Sequence, residues 1–326
     1  MKFLPVLLAS TLALLLTQAA SAHEYDALLK AKKYAEAEKA ANAKLSTDAN
    51  NADALLVKAD LILTEGKIDK LDDAAKYAEQ CVSAHPQLSE CHEMLGNVLG
   101  AKATSGSMFA AMSYAGKIRD AFIKAVELDP KNYSARGSLL QFYLQAPAVA
   151  GGGKSKAQNL VIETAKVNSA AGNLLQASVD LSDEKISNAE TAALSAIPGN
   201  VESLSRMQRS ALFNIGANYM QQKKFADADR VFGELLQRYP DKYQGTYGMG
   251  RSLQEQGKHK EAINWFEKSQ TLEASAAVYY RLAQCLQAVN DKTKAISYFE
   301  KALSYKPALS KKLRTDAEDQ LKALKA

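Results

Sequence analysis

The chain has 326 residues, of which 47% are hydrophobic and 24% charged, and a formal net charge of +5 that falls to +4 once Lys2 is set aside (+5 minus 1). Charges of both signs are interspersed, so there is no nucleic-acid footprint, and the mild basicity reads as a solubility feature. Seven prolines and the lack of a long Ser/Gly tract exclude extended disordered linkers.

Lys2, the apolar run Leu4 to Leu16 and the small residues Ala20-Ser21-Ala22 before His23 predict a secretory signal peptide over residues 1–22. The run is short for a membrane span, and no second run of spanning length follows. No cysteine follows the cleavage site, which argues against a lipoprotein anchor. The mature product is expected to be exported, which for a Gram-negative source means the periplasm.

Residues 23–45 open with Tyr25, Leu28 and Leu29 and read as an incomplete first helix pair. Ala54 to Leu63 and Leu71 to Ala84 pair across Glu65-Gly66-Lys67. A third pair starts at Cys91, keeps Leu95-Gly96 as a close-contact site and ends on Ala125-Val126-Glu127-Leu128-Asp129-Pro130. Between its helices, Ala101 to Gly116 is an insertion that either lengthens the helices or protrudes as a loop. The fourth pair, from Tyr133, is interrupted by Ala146-Pro147 and Gly151-Gly152-Gly153, and the fifth, Ala170 to Ile197, is degenerate. After Pro198-Gly199-Asn200 the pattern sharpens. Gly250 follows Gly216 by thirty-four residues, and Ala262 follows Ala228 by the same interval. Small residues at such positions let helices approach, and Tyr219, Phe232 and Phe266 fill the space between repeats. An eighth pair runs from Tyr279 to Pro307, and Ser310 to Leu324 suits a capping helix.

These residues resemble the tetratricopeptide repeat superfamily, strongly from Leu212 to Pro307 and around Ala121 to Pro130, weakly between Lys156 and Asn200. The resemblance implies an all-α fold, a right-handed superhelical solenoid of about seven to eight antiparallel helix pairs. Degenerate units are expected over about 23–200, clear repeats over about 208–307 and the cap over about 308–325. It also implies a scaffold without catalysis or cofactor that binds a peptide or protein on its concave face. Projecting the helical period onto the first helix of each pair puts Asn97, Gln141, Phe213, Ala217, Met220, Tyr247, Arg251, Gln254, Tyr280, Gln284 and Gln287 there. Gln and Asn suit a peptide backbone, Tyr supplies rigid contact area and Arg251 suits a carboxylate. The lysine-bearing clamp of co-chaperone repeats is missing from Gly245 to Arg251. The alternative function is a small-ligand or transport accessory protein using this groove or the Gly-rich loop.

Three further features need weighing. Cys81 and Cys91 lie five residues to either side of Pro86, so antiparallel helices would bring them face to face as a disulfide, against the reading of two small buried hydrophobes. Ala148 to Ser155 meets a relaxed phosphate-loop pattern, but the segment before it is helical and no partner strand ends in Asp, so a structural or partner-contacting loop is expected. An amino-terminal His23 has a copper-ligating amine and imidazole, yet His85, His92 and His259 show no metal spacing with it, so no metal is expected.

Overall fold

A computed structural model describes residues 25–326; the signal-peptide reading and His23 lie outside the described residues. The chain is all helix there, without a strand, and its helices follow one another as consecutive pairs. In order they are α1 (25–30), α2 (Tyr34–Thr47), α3 (Ala52–Thr64), α4 (Leu71–Ala84), α5 (Ser89–Ser105), α6 (Met108–Leu128), α7 (Tyr133–Gln145), α8 (Lys154–Val167) and α9 (Ser169–Ser182). Then come α10 (Ile186–Ser195), α11 (Glu202–Gln221), α12 (Phe225–Arg238), α13 (Tyr243–Glu255), α14 (His259–Leu272), α15 (Ala276–Ala288), α16 (Lys292–Ser304) and α17 (Lys311–Lys325). The fold class is the helix-pair solenoid that the repeat spacing predicts. The chain forms two compact units, one ending at Asn132 and the other running Tyr133–Ala326.

One turn recurs inside the pairs. Lys32, Gly66, Glu184, Lys223, Gly257 and Asn290 all take a positive φ, between 56° and 75°. The residue after each donates its N–H to a carbonyl five residues back, as Lys224 does to Tyr219 at 2.9 Å and Lys258 to Leu253 at 2.9 Å. This left-handed cap satisfies the last carbonyls of one helix and reverses the chain into the next. Gly66 and Gly257 carry the residue that such a turn favours most. Asn290 also tolerates it, whereas at Lys32, Glu184 and Lys223 the tertiary contacts of the pair override the preference.

The packing of the second unit is set by where bulk is forbidden. Phe232 is fully buried, and a Cβ built on Gly216 would lie 2.5 Å from its ring, one on Gly248 2.3 Å. The ring therefore sits between glycines of α11 and α13. Phe266 repeats the arrangement against Gly250 at 2.7 Å, and in the first unit Phe122 does so against Gly96 at 2.5 Å. In α16 the equivalent Phe299 is fully buried beside Ala283. The spacing in the sequence marks Gly96, Gly216, Gly250, Phe232 and Phe266 as contact positions, but not Gly248.

The third and fourth pairs depart from the pattern differently. The insertion at 101–116 lengthens its helices: α5 has 17 residues and α6 has 21, against 13 for α3 and 14 for α4. The Gly-rich segment is instead a compact connector. It begins as a short 3₁₀ turn, Ala148–Ala150, and Gly151, Gly152 and Gly153 donate to Ala148, Pro147 and Tyr143. A Cβ on Gly152 would fall 1.8 Å from the Ala146 carbonyl oxygen, so the close approach requires glycine there.

In the first unit Cys81 and Cys91 are disulfide-bonded across the α4–α5 turn, with Cα atoms 5.4 Å apart. They are fully buried against Leu55, Tyr77 and Leu88. Cys285 is a free thiol in the core of the second unit, and burial pushes its pKa up to about 12.

Gly216→Val is expected to lose about 1–3 kcal/mol through overpacking against Phe232. Gly233→Ala, where the added Cβ meets open space, should leave stability unchanged or raised. Chemical denaturation of both variants checks the pair. Labelling the unfolded, unreduced chain should find a single reactive thiol, Cys285, and reduction should remove about 2–3 kcal/mol; three reactive thiols without reductant would contradict the bonded pair.

Candidate functional site

In the second unit α11, α13 and α15 are the first helices of successive pairs, and α17 follows as the next in line. Positions one repeat apart on these helices form columns. Phe213, Tyr247 and Tyr280 make one; Ala217, Arg251 and Gln284 a second; Met220, Gln254 and Gln287 a third. Of the groove residues expected from the sequence, these nine share one unit and one helix series. Gln141 is exposed on α7 and accepts from Gln145 of its own helix at 3.2 Å. Asn97 belongs to the first unit, half-buried on α5.

The glutamines do not stand free. Arg281 donates to Gln254 at 3.2 Å, and Gln254 donates to Gln284 at 3.2 Å. Gln284 donates to the Tyr280 hydroxyl at 2.7 Å, which donates to Asp316 of α17 at 2.6 Å. Gln287 donates to Gln320 of α17 at 2.9 Å. Each bond joins one repeat helix to itself or to the next, so these groups serve as a polar ladder. Burial, and then the hydrogen bond to Asp316, raises the Tyr280 hydroxyl well above its usual range. Met220 and Tyr280 depart from the surface placement that the helical projection gives them. Both side chains are buried, Met220 in the cluster of Val231 and Phe232, and Tyr280 beside Phe299.

What remains available is Phe213, Tyr247 and Arg251, all half-buried. The Phe213 and Tyr247 rings stack across α11 and α13, with centroids 6.0 Å apart and planes at 21°. Tyr243 meets Tyr247 edge-on at 6.2 Å, and Phe266 backs Tyr247 at 5.7 Å. The aromatic wall is therefore rigid before anything binds. Arg251 lies one helical turn beyond Tyr247. Its Nε is buried with no hydrogen-bond partner, and no carboxylate among the described residues forms an ion pair with it. Burial, and then the like charge of Arg281, pulls its pKa below the ordinary guanidinium value. Arg281 is 4.0 Å from Glu255 and bonded to Gln254, so its charge is partly compensated. At Arg251, Tyr247 and Glu255 offset burial and the like charge only in lesser part, and no ion pair is formed.

Two other places concentrate polar groups, and in both these groups bond to one another. An open cleft of about 620 Å³ lies along the α9–α10 and α11–α12 turns, lined by Lys185, Asn188, Tyr219, Gln222 and Arg230 among others. In its lining the buried Glu190 accepts from Nη1 and Nη2 of Arg230 and, at 2.9 Å, from the Tyr219 hydroxyl. Arg230 also bonds Asp227 at 3.1 Å. Burial, and then Glu190, raises Tyr219 to about 12. These charges satisfy one another, so the network is a clasp between pairs, one that the sequence pattern did not signal. The Gly-rich connector likewise uses its N–H groups internally. Its Lys154 pairs with Asp183, and Lys156 donates to the Gly151 carbonyl at 2.9 Å. The three glycine N–H groups are thereby committed within the connector. No group of three potential ligand side chains among the described residues is close enough to hold a metal.

Family models described as tetratricopeptide repeat match residues 213–277 and 276–309. This part of the chain carries tetratricopeptide repeats. The aromatic wall and Arg251 lie within it, on the first helices of those repeats. The fold is similar to that of yeast Tom70, with a TM-score of 0.63 and 14% identity over 90% of this chain. The chain spans 59% of that protein's length. It also aligns with a tetratricopeptide repeat protein from Parabacteroides merdae at a TM-score of 0.45, 15% identity, 93% of this chain and 97% of that one. The Yersinia enterocolitica type III secretion translocator chaperone SycD aligns at 0.33, with 23% identity, over 36% of this chain and 83% of that one. No curated protein matches the chain.

A half-buried charge without an ion pair lowers stability. Arg251→Met is therefore expected to raise the unfolding free energy by about 1 kcal/mol, measured by chemical denaturation, while keeping the apolar stem's contacts. A clear loss of stability would mean that the guanidinium is satisfied in the native chain.

Proposed function

We propose that the protein is an exported, non-enzymatic scaffold whose tetratricopeptide repeats hold a peptide or protein segment against α11 and α13. Phe213 and Tyr247 supply a preformed aromatic wall, and Arg251 receives an acceptor group of the partner, a carboxylate or a backbone carbonyl. The observation that carries the reading is the contrast between Arg251 and its neighbours. Gln254, Gln284, Gln287, Tyr280 and Arg281 are bonded within the ladder, whereas Arg251 is left over. A partner would relieve its burial, so binding gains from a cost already present in the free chain. The residues at 1–22 support export, to the periplasm in a Gram-negative source. Nothing in the charge pattern favours nucleic acid, and no described helix is long and apolar enough to cross a membrane. A small-ligand role receives less support, because the clefts along the turns are open and polar while drug-sized ligands favour enclosed apolar sites.

Chemical crosslinking followed by affinity capture from the cell envelope tests the assignment. Arg251→Glu should lower recovery of the captured partner about tenfold or more. Lys223→Glu, exposed on the α11–α12 turn, should not. Equal recovery from wild type and Arg251→Glu would move the site away from this face.

A further inference from the structure

Arg251 shares its face with a second cation. Arg281 of α15 donates to Gln254 at 3.2 Å and lies 4.0 Å from Glu255. Those two residues follow Arg251 by three and four positions, so they adjoin it on the surface of α13. The second guanidinium therefore lies beside the first, over the last turn of the helix, and its like charge is felt at Arg251. Two arginines and one glutamate sum to a single positive charge.

The neutral groups around Arg251 are already used. Gln254 accepts from Arg281 and donates to Gln284, and Gln284 donates to the Tyr280 hydroxyl. In the column of Arg251, Ala217 of α11 offers only a methyl group. The Arg251 Nε stays buried without a partner. A backbone carbonyl would accept from that nitrogen but leave the two like charges side by side. A carboxylate accepts through two oxygens in the plane of the guanidinium fork and also balances the remaining charge.

The aromatic wall fixes what stands next to that carboxylate. Arg251 follows Tyr247 by four residues, about 6 Å along the helix. In an extended chain, side chains two residues apart point to one face and are about 6.6 Å apart. The Phe213 and Tyr247 rings, with centroids 6.0 Å apart, form a surface the width of one side chain, whereas a helical ligand is about 10–12 Å across. Resting on the binding role given to the α11–α13 face, we propose that the partner segment is extended and carries an aspartate or glutamate two residues from an apolar side chain. The apolar group packs on the Phe213–Tyr247 stack, and the acidic side chain pairs with Arg251 beside Arg281. Arg281 is then the residue that selects an acid over its amide.

Synthetic peptide mixtures test this on the immobilised full chain. Each peptide has one central phenylalanine, random residues elsewhere and an amidated C-terminus, and a second mixture has a free C-terminus. Sequencing the retained peptides should show Asp and Glu favoured over Asn and Gln by about tenfold at a position two residues from the phenylalanine, in both mixtures. Arg281→Gln should cut that preference to about threefold or less while retaining the Asn and Gln peptides as well as wild type does, which a folding defect would not. Arg251→Met should retain the acidic peptides about tenfold less well. If Arg251→Met lowers retention, three results overturn the proposal and leave the groove in place. They are equal retention of acids and amides by wild type, an acid preference confined to the free C-terminus or to positions three or four residues away, and an unchanged preference in Arg281→Gln. Retention that Arg251→Met does not lower, or none above the bare support, overturns the binding role of this face and the proposal together.

Discussion

Phe232 can occupy its site only because Gly216 and Gly248 present no side chain to it. That ring ties α12 to its own partner α11 and to α13 of the following pair, so a single contact sets both the pairing and the stacking. Phe266 against Gly250 carries the rule forward, and at Phe299 an alanine is small enough. A lone helix pair could not bury such a ring on both sides, which is why the structure exists as a series rather than as separate hairpins. Packing this tight tolerates little added volume at the glycines.

The regularity has a consequence for the exposed face. Because the rings and small residues hold the frame, the first helices are free to carry polar side chains, and most of these bond to the next repeat. The ladder from Arg281 through Gln254, Gln284 and Tyr280 to Asp316 extends the solenoid's stacking into its polar surface. α17 takes part as though it were the first helix of another pair. Arg251 stands out because its column has no partner of opposite charge. Its burial is the kind of local cost that functional sites retain.

The helix pairs were legible because glycine, alanine and phenylalanine recur at nearly fixed spacing, and that spacing is the physical requirement itself. The turns were less so. Three of the six positive-φ residues are Lys or Glu, which do not signal this geometry. Face assignment by helical period placed Met220 and Tyr280 on the surface, because a projection cannot tell which way a helix rolls against its neighbours. The glutamines looked available because their partners come from the next repeat, about thirty residues away. The Glu190–Arg230–Tyr219 clasp was invisible for the same reason. The two interruptions of the pattern could be located in the sequence but not distinguished: one lengthens helices, and the other folds back on itself through three glycine N–H groups.

Hydrogen exchange resolved by helix, comparing wild type with Phe232→Ala, tests most directly whether one ring governs both pairing and stacking. The account predicts that protection falls in α11, α12 and α13 together, while α15 and α16 keep most of theirs. Loss confined to α12, or an equal loss through the whole second unit, would contradict it.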